Sequence, residues 1–172
     1  MAYSTVPKTK RDGLITLIDG TTPTAVELEV AYEDGNLSID VPKQFGSLVI
    51  RDRGDTVAVR KQDDQQLTGS FSFHLRQFTD GSEAGSIIDF ITKAGHYSSN
   101  VSTGASGSPY IEEYAINIKY TVEGTDHGDS ADHTATLAKC LIDSYAIAEG
   151  DPSNVTINFT CFGGLPTYTG PA

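Results

Sequence analysis

The chain has 172 residues and a net charge of −11, with 23 acidic against 12 basic side chains. Its length is typical of one domain that can bury a core without metals or disulfides. The excess of acid disfavours binding to a DNA backbone or to anionic lipid, because both require Lys and Arg. No apolar stretch is long enough to span a membrane, and the basic start, Met1 to Arg11, does not resemble a signal peptide.

Alternating or continuous apolar residues predict strands through the first third of the chain. The predicted strands are Leu14 to Asp19, Thr24 to Tyr32, Leu37 to Val41, Phe45 to Arg51 and Thr56 to Arg60. Turn-forming residues predict one hairpin between the second and third strands and another around Arg53 and Gly54. The polar run Lys61 to Gln66 is expected to be an exposed loop.

A strand and the one predicted helix follow. Leu67 to Phe78 alternates, with Phe71 and Phe73 on one face. The helix is predicted from about Ser82 to Ala94. Its signals are a cap at Asp80 or Ser82, an apolar stripe of Ala84, Ile87, Ile88 and Ile91, and a stop at Gly95.

Long strands and polar loops make up the rest of the chain. Expected in order are a flexible loop (His96 to Pro109), a strand (Tyr110 to Val122), an acidic loop (Glu123 to His133), the longest strand (Thr134 to Ala148) and a last strand (Val155 to Phe162). The longest strand is predicted to alternate without interruption, with Leu137, Lys139, Leu141, Asp143, Tyr145 and Ile147 on one face. Residues 163–172 form a tail rich in Gly and Pro.

These elements predict a single mainly β domain over residues 1–172, a β-sandwich or distorted barrel with one flanking α-helix. An N-terminal arm (1–12), two long loops (96–109 and 123–133) and the tail surround it. Long strands leave edges that invite pairing with other chains.

No pattern of catalytic residues occurs, so no enzyme activity and no cofactor are predicted. Asp126, His127, Asp129, Asp132 and His133 are the best metal candidates, but their spacing fits neither an EF-hand nor a zinc site, and a solvated acidic loop is expected instead. Cys140 and Cys161 lie in apolar β patterns without CxxC spacing and are predicted to be buried free thiols.

Three stretches together resemble the major tail tube proteins of long-tailed bacteriophages. The first is Val6 to Gly20, a basic lead-in and a short strand ending in Asp-Gly. The second is Leu67 to Leu75, followed closely by the helix. The third is Gly150 to Thr160, an acidic turn that leads into the last strand.

The resemblance implies a structural virion protein that forms six-membered rings stacked into a hollow tube, a conduit for DNA ejection. The partners would be further copies of the chain and the tape measure, terminator and baseplate proteins of the tail. DNA would pass without specific binding, along a lumen that tends to be negative in such tubes. The location would be the virion tail, after assembly in a host bacterial cytoplasm.

Site residues follow from this resemblance. Glu27 and Glu29 are expected to face the lumen, and Glu113, Asn117 and Lys119 are further candidates. Contact between subunits or rings is expected at residues 52–66 and 96–109. Charge alone suggests that Lys8, Lys10 and Arg11 meet Asp126, Asp129 and Asp132 of an adjacent ring.

Two other classes of protein remain open. One is another virion β protein, either a capsid decoration protein or a tail terminator, which would form a single ring. The other is a carbohydrate-binding β-sandwich module, which the absence of Trp disfavours.

Overall fold

The computed structural model describes residues 13–30, 36–75, 86–124 and 130–170. The strands are β1 (Gly13–Ile18), β2 (Glu27–Val30), β3 (Ser38–Asp40), β4 (Phe45–Asp52), β5 (Asp55–Asp64), β6 (Leu67–His74), β7 (Ile116–Val122), β8 (His133–Ala148), β9 (Asn154–Cys161) and β10 (Thr167–Thr169). The α-helix in these ranges is α1 (Ile87–Thr92). The predicted mainly β fold with a flanking helix is confirmed.

Strand β8 joins the two halves of one antiparallel sheet. The order is β2-β1-β7-β8-β9-β6-β3, with β10 also paired to β8. The start of β8, up to Cys140, pairs with β7, whereas the stretch from Cys140 to Ala148 pairs with β9. We call β2, β1, β7 and the start of β8 the first half-sheet. Leu141–Ala148 with β9, β6 and β3 is the second half-sheet.

The two half-sheets place their apolar faces in one common core. Leu17 and Ile118 of the first half-sheet and Phe71 and Ile157 of the second belong to the same cluster and are at most 1% exposed. Alternation along each strand sends the intervening polar residues to the outer faces. Each half-sheet therefore has one face in the core and one outer face, although Thr16, in the middle of the outer face of the first half-sheet, is only 2% exposed.

Two irregularities bend β8 where it passes from one half-sheet to the other. Between the pairs Ile118–Leu137 and Ile116–Cys140, β8 contains an extra residue, and Lys139 adopts a left-handed conformation with φ of 54°. A second extra residue, Asp143, interrupts the ladder with β9. Each bulge shifts the alternation by one residue and bends the strand. The uninterrupted alternation predicted for this strand is therefore wrong.

Helix α1 is shorter than predicted. Ser86 is its N-cap, and the Ser86 hydroxyl accepts a hydrogen bond from the backbone N–H of Asp89 (3.1 Å). The predicted caps Asp80 and Ser82, and Ala84 of the predicted stripe, lie outside the described residues. Lys93 ends the helix in a left-handed conformation. Ile88 and Ile91 are buried as predicted, together with Phe90.

Several predicted boundaries and pairings are wrong because distant segments decide them. Strand β2 pairs with β1, and β3 pairs with β6, so these strands do not form the hairpin expected from their adjacency. Strand β5 continues to Asp64, inside the predicted loop, and β7 begins only at Ile116. Three residues of the predicted tail form β10 against β8.

Cys140 and Cys161 form a disulfide, contrary to the prediction of free thiols. The two residues lie directly opposite each other in the β8–β9 ladder, and both are at most 1% exposed. The prediction of burial is confirmed. The pairing depends on the register of two strands, which the spacing of the cysteines did not reveal.

The segment 96–109, predicted to be flexible, is held by hydrogen bonds. Lys139 Nζ donates to the carbonyl oxygens of Ser106 (2.9 Å) and Pro109 (2.6 Å). The Ser102 hydroxyl accepts from the N–H of Ala115 (2.9 Å). Buried Asp19 accepts from the N–H groups of Val26 (2.6 Å) and Val101 (3.3 Å) and thereby ties this segment to the end of β1.

Candidate assembly surfaces

The second part of β8 has a free edge. Pairing with β7 ends at Cys140, and no described strand pairs with that edge from Leu141 to Ala148, although β9 pairs with the opposite edge. Along these eight residues, the backbone N–H and C=O groups that point away from β9 therefore have no strand partner in the described ranges. Such an edge is a template for pairing with another chain.

Apolar side chains accompany this free edge. Tyr145 is 45% exposed and Ile147 is 43% exposed, although their neighbours across the ladder, Ile157 and Val155, are fully buried. Directly paired residues point to the same side of a sheet. The core-facing side of the second half-sheet therefore becomes exposed toward the β8 edge. A neighbouring chain that pairs with this edge would lie next to these exposed apolar side chains.

The hairpin formed by β4 and β5 projects from the rest of the fold. Its two strands pair with each other and with no other strand in the described ranges. The turn uses Arg53 and Gly54, both with positive φ, as the predicted hairpin requires. A two-stranded sheet alone is only marginally stable in water, so this hairpin is expected to gain a partner.

Apolar residues occupy both faces of the hairpin. Val49 and Val59 are paired and share one face, and Leu48 and Ile50 occupy the other. These residues are 40–61% exposed, and Val57 is 65% exposed. A solvated hairpin would have at least one polar face. The hairpin therefore has the composition of an element covered on both sides in an assembly.

The lumen candidates from the sequence lie on the outer face of the first half-sheet. Glu29, Thr16 and Lys119 are aligned across β2, β1 and β7, and Glu27 and Asn117 are aligned with Ile18 in the same way. Lys119 Nζ lies 3.6 Å from Glu27 Oε2, so the face combines both signs of charge. The Asn117 side chain accepts from the N–H of Lys139 (2.9 Å) and thus supports the bulge.

Glu113 does not belong to this face. It was expected to share a strand with Asn117, but β7 begins after it, at Ile116. Glu113 instead lines an open groove of about 570 Å³ together with Tyr110, Leu141 and Phe162. This groove adjoins the first residue of the free β8 edge.

The charge pairing expected between rings falls mostly on residues that the structure does not describe. Lys8, Lys10, Arg11, Asp126 and Asp129 lie outside the described ranges. Asp132 is described, and its Oδ1 accepts a hydrogen bond from the N–H of Gly124 (3.0 Å). The pairing stays a prediction.

Two tyrosines, the buried Tyr97 and the half-buried Tyr114, have raised pKa values. Burial raises the pKa of Tyr97, and the negative charge of Asp89 raises it further. Burial also raises the pKa of Tyr114, as does Asp19, although a hydrogen bond from Asn100 acts in the opposite direction. Both hydroxyls therefore remain protonated at neutral pH, as packing groups do.

Side chains that could bind a metal do not converge in the described ranges, where no group of three His, Cys, Asp or Glu residues is close enough. Among the same residues, no helix has the length and apolar character needed to cross a membrane.

Comparison of whole chains gives a consistent result for the fold. The chain aligns with a chain in the cryo-EM structure of the anti-feeding prophage cap (tube terminating cap) at a TM-score of 0.58 and 12% identity, covering 99% of this chain and 95% of that one. It also aligns with a chain in the structure of the sheath-tube complex of the PVC extracellular contractile injection system in its extended state. That alignment has a TM-score of 0.57 and 11% identity, and it covers 98% of this chain and 100% of that one. The chain has a phage-tail-tube-like fold.

A third structure supports the same conclusion. A chain in the cryo-EM structure of the PVC sheath/tube terminator in its extended state aligns at a TM-score of 0.57 and 11% identity, over 94% of this chain and 97% of that one. No protein-family model matches the sequence, and no curated protein matches it. The predicted resemblance is thus confirmed in three dimensions, at identities that establish the fold.

The free β8 edge and the projecting hairpin were not among the residues predicted to form the site, except where residues 52–66 overlap the hairpin. Edge status depends on which strands are neighbours, and a sequence pattern does not contain that information. Alternation usually predicts which side of a strand is exposed. In β8 each of the two bulges shifts the alternation by one residue, so this prediction fails there.

Proposed function

We propose that the protein is a non-enzymatic structural subunit of a phage-tail-like tube, in which six copies form a ring and rings stack into a conduit for DNA. The observation that carries the proposal is the free edge of β8 on a domain whose fold matches chains of tube-containing assemblies over 94–99% of its length. In a monomer, an unpaired edge with exposed apolar side chains promotes aggregation, whereas in an oligomer such an edge can form the contact between subunits.

The second half-sheet has two free edges, one on β8 and one on β3, in the described part of the chain. Strand β3 leads within a few residues into β4, whose eight residues match the eight of the β8 edge. Pairing of the β8 edge of one copy with the β3–β4 side of the next is a head-to-tail contact, which closes into a ring when the rotation fits.

Charge disfavours the alternative neighbour. The groove beside the β8 edge carries Glu112 and Glu113. The other exposed edge strand, β2, contributes Glu27 and Glu29 and would place acid against acid. The hairpin, residues 45–64, carries four basic and four acidic side chains and therefore no net charge that opposes the contact.

The remaining partners and the location are part of the same proposal. A tube subunit would contact the tape measure, terminator and baseplate proteins of a tail, and it would reside in the virion tail after assembly in the host cytoplasm. A tail terminator is the second candidate, because the chain matches chains from a terminating cap and from a sheath/tube terminator equally well.

Negative-stain electron microscopy of the concentrated protein tests the proposal. Hollow tubes built from six-fold rings are expected. Single closed rings that never stack would instead support a terminator, and monomers at all concentrations would contradict both candidates. The variant Ile147→Lys places a charge at the free edge and should abolish tubes while leaving a folded monomer, since the side chain is 43% exposed. Tyr168→Lys, on β10, is the matched control and should assemble.

A further inference from the structure

The Cys140–Cys161 disulfide lies at the point where β8 changes partners. Cys140 is the last residue of β8 that pairs with β7, where it lies opposite Ile116, and its other edge pairs with Cys161 of β9. The free edge of β8 begins at the next residue, Leu141. The cross-link therefore joins β8 to β9 at the start of the ladder that holds the second part of β8.

Neither sulfur atom is accessible in the closed fold. Cys140 is 0% exposed and Cys161 is 1% exposed, and both belong to the common core. Thiol–disulfide exchange requires a thiolate to attack one sulfur of the disulfide directly. A small thiol therefore reacts with this disulfide only after the protein opens, either locally or by global unfolding.

Strand β9 and the first part of β8 are each held on both edges. Strand β9 pairs with β6 over all of its eight residues and with β8 on its opposite edge. The first part of β8 pairs with β7 on one edge, and β10 pairs with residues 134–136 on the other. Neither segment can separate from its neighbours without breaking two ladders.

The second part of β8 is held by one ladder, because among the described strands it pairs with β9 alone. A bulge at Asp143 interrupts this ladder, and residues 143–148 are all exposed, so few apolar contacts are lost when the segment separates from β9. Two side-chain hydrogen bonds that cross the ladder lie at the surface, where water can replace them. Among the described strands around the cysteines, this segment therefore opens at the lowest cost.

We propose that the Cys140–Cys161 pair is a redox site that exchanges with small thiols and disulfides in the free subunit through separation of the second part of β8 from β9, and that a neighbouring copy paired with the free edge closes this route. Closure by a neighbouring copy rests on the proposed function. Pairing on both edges gives the second part of β8 the same support that β9 has. The pair therefore keeps, in the tube, the oxidation state that it had when the subunit was incorporated.

The exchange conserves atoms and electrons. The thiolate of a small thiol attacks one sulfur of the disulfide, forms a mixed disulfide and releases one protein thiolate, which takes up a proton. A second small thiolate attacks the small-molecule sulfur of the mixed disulfide and releases the second protein thiolate, which also takes up a proton. The two small thiols thus supply two electrons and leave as their own disulfide, and the reverse steps let glutathione disulfide oxidise the two protein thiols.

Two matched alanine variants test the local route in the free subunit. Ala146→Gly weakens the second part of β8, and Ala135→Gly makes the same change in the first part, where Ala135 pairs with Tyr120 and Tyr168. The protein is treated with dithiothreitol below the concentration at which it assembles, and the new thiols are counted by alkylation and mass spectrometry. Ala146→Gly should accelerate reduction about two- to fivefold, whereas Ala135→Gly should leave the rate unchanged. Equal acceleration by both variants would show that global unfolding is the route and would overturn the proposal.

The same measurement on tubes tests closure by the neighbouring copy. Tubes that are verified by electron microscopy and sedimented away from free subunits should be reduced at least about tenfold more slowly than free subunits, the factor that corresponds to a contact of about 1.4 kcal/mol. Equal rates would overturn closure. Free thiols that persist after incubation with glutathione disulfide would overturn the redox site itself. If the wild-type protein forms no tubes, the proposed function and closure both fail, while the two alanine variants still decide the route in the free subunit.

Discussion

Replacement of two hairpin valines by serine should weaken assembly by an amount that the structure allows us to estimate. Val57 and Val59 are 65% and 61% exposed in the monomer, so they contribute little to its own core. Full burial of a valine side chain stabilises by about 1.5–3 kcal/mol, so covering roughly three fifths of each side chain contributes about 1–2 kcal/mol. If a neighbouring copy covers both, Val57→Ser/Val59→Ser removes about 2–4 kcal/mol per subunit contact.

The critical concentration for tube formation converts this energy into a measurable quantity. Because about 1.4 kcal/mol corresponds to a factor of ten, the double variant should raise the critical concentration by at least about 30-fold. Sedimentation of assembled material over a concentration series measures this value. The thermal unfolding of the monomer should be almost unchanged, because neither valine is buried.

A matched control separates the hairpin from a general loss of surface hydrophobicity. Tyr168→Ser likewise replaces an exposed apolar side chain by serine, at a residue of β10 that is 69% exposed and lies outside the proposed contacts. Its critical concentration should stay close to that of the wild-type protein. A change of less than about threefold in the double variant would refute the assignment of the hairpin as an interface.

Three further predictions concern the stability of the subunit, measured by urea unfolding. Reduction of the Cys140–Cys161 disulfide should lower the free energy of unfolding by about 2–4 kcal/mol, and Cys140→Ser/Cys161→Ser should lose its response to reductant; equal stability with and without reductant would contradict this. Asp19→Asn should cost about 2–4 kcal/mol, because one of the two carboxylate oxygens that accept hydrogen bonds becomes a donor; a cost below about 0.5 kcal/mol would show that these bonds do not hold the turn. Gly69→Ala should cost about 1–3 kcal/mol, since its Cβ would lie 2.5 Å from the Phe159 ring and 2.6 Å from the Ser38 carbonyl oxygen; unchanged stability would mean that β3 moves freely away from β6.

The parts of the fold that local patterns determine were predictable. Phe71 and Phe73 alternate with serines and are buried in β6, and the turn at Arg53 and Gly54 closes the β4–β5 hairpin as expected. In these segments the signals are local: the alternating side chains, and the residues that form the turn, are each only a few positions apart in the sequence. The class of fold followed from the number of such segments and the single helix.

Features that depend on contacts between distant segments were not predictable in the same way. The left-handed conformation of Lys139 is supported by Asn117, 22 residues away, and by the carbonyl groups of Ser106 and Pro109. The pairing of β2 with β1, and not with β3, is likewise decided by the whole sheet. Alternation alone therefore misplaced the faces of β8.

The candidate site illustrates the same limit. Glu27 and Glu29 were selected because a strand with an apolar back exposes its acids, and the structure confirms that both are exposed. It also places them on the first half-sheet, while the free edge lies on the second. Which half-sheet meets a neighbour depends on the topology, and the sequence contains no direct signal for it.

A cryo-EM reconstruction of the tubes formed by the purified protein tests the central claim most directly. We predict six copies in each ring, with Leu141–Ala148 of every copy paired to a strand of its neighbour. Tubes in which the β8 edge remains unpaired, or rings that close through other surfaces, would contradict it.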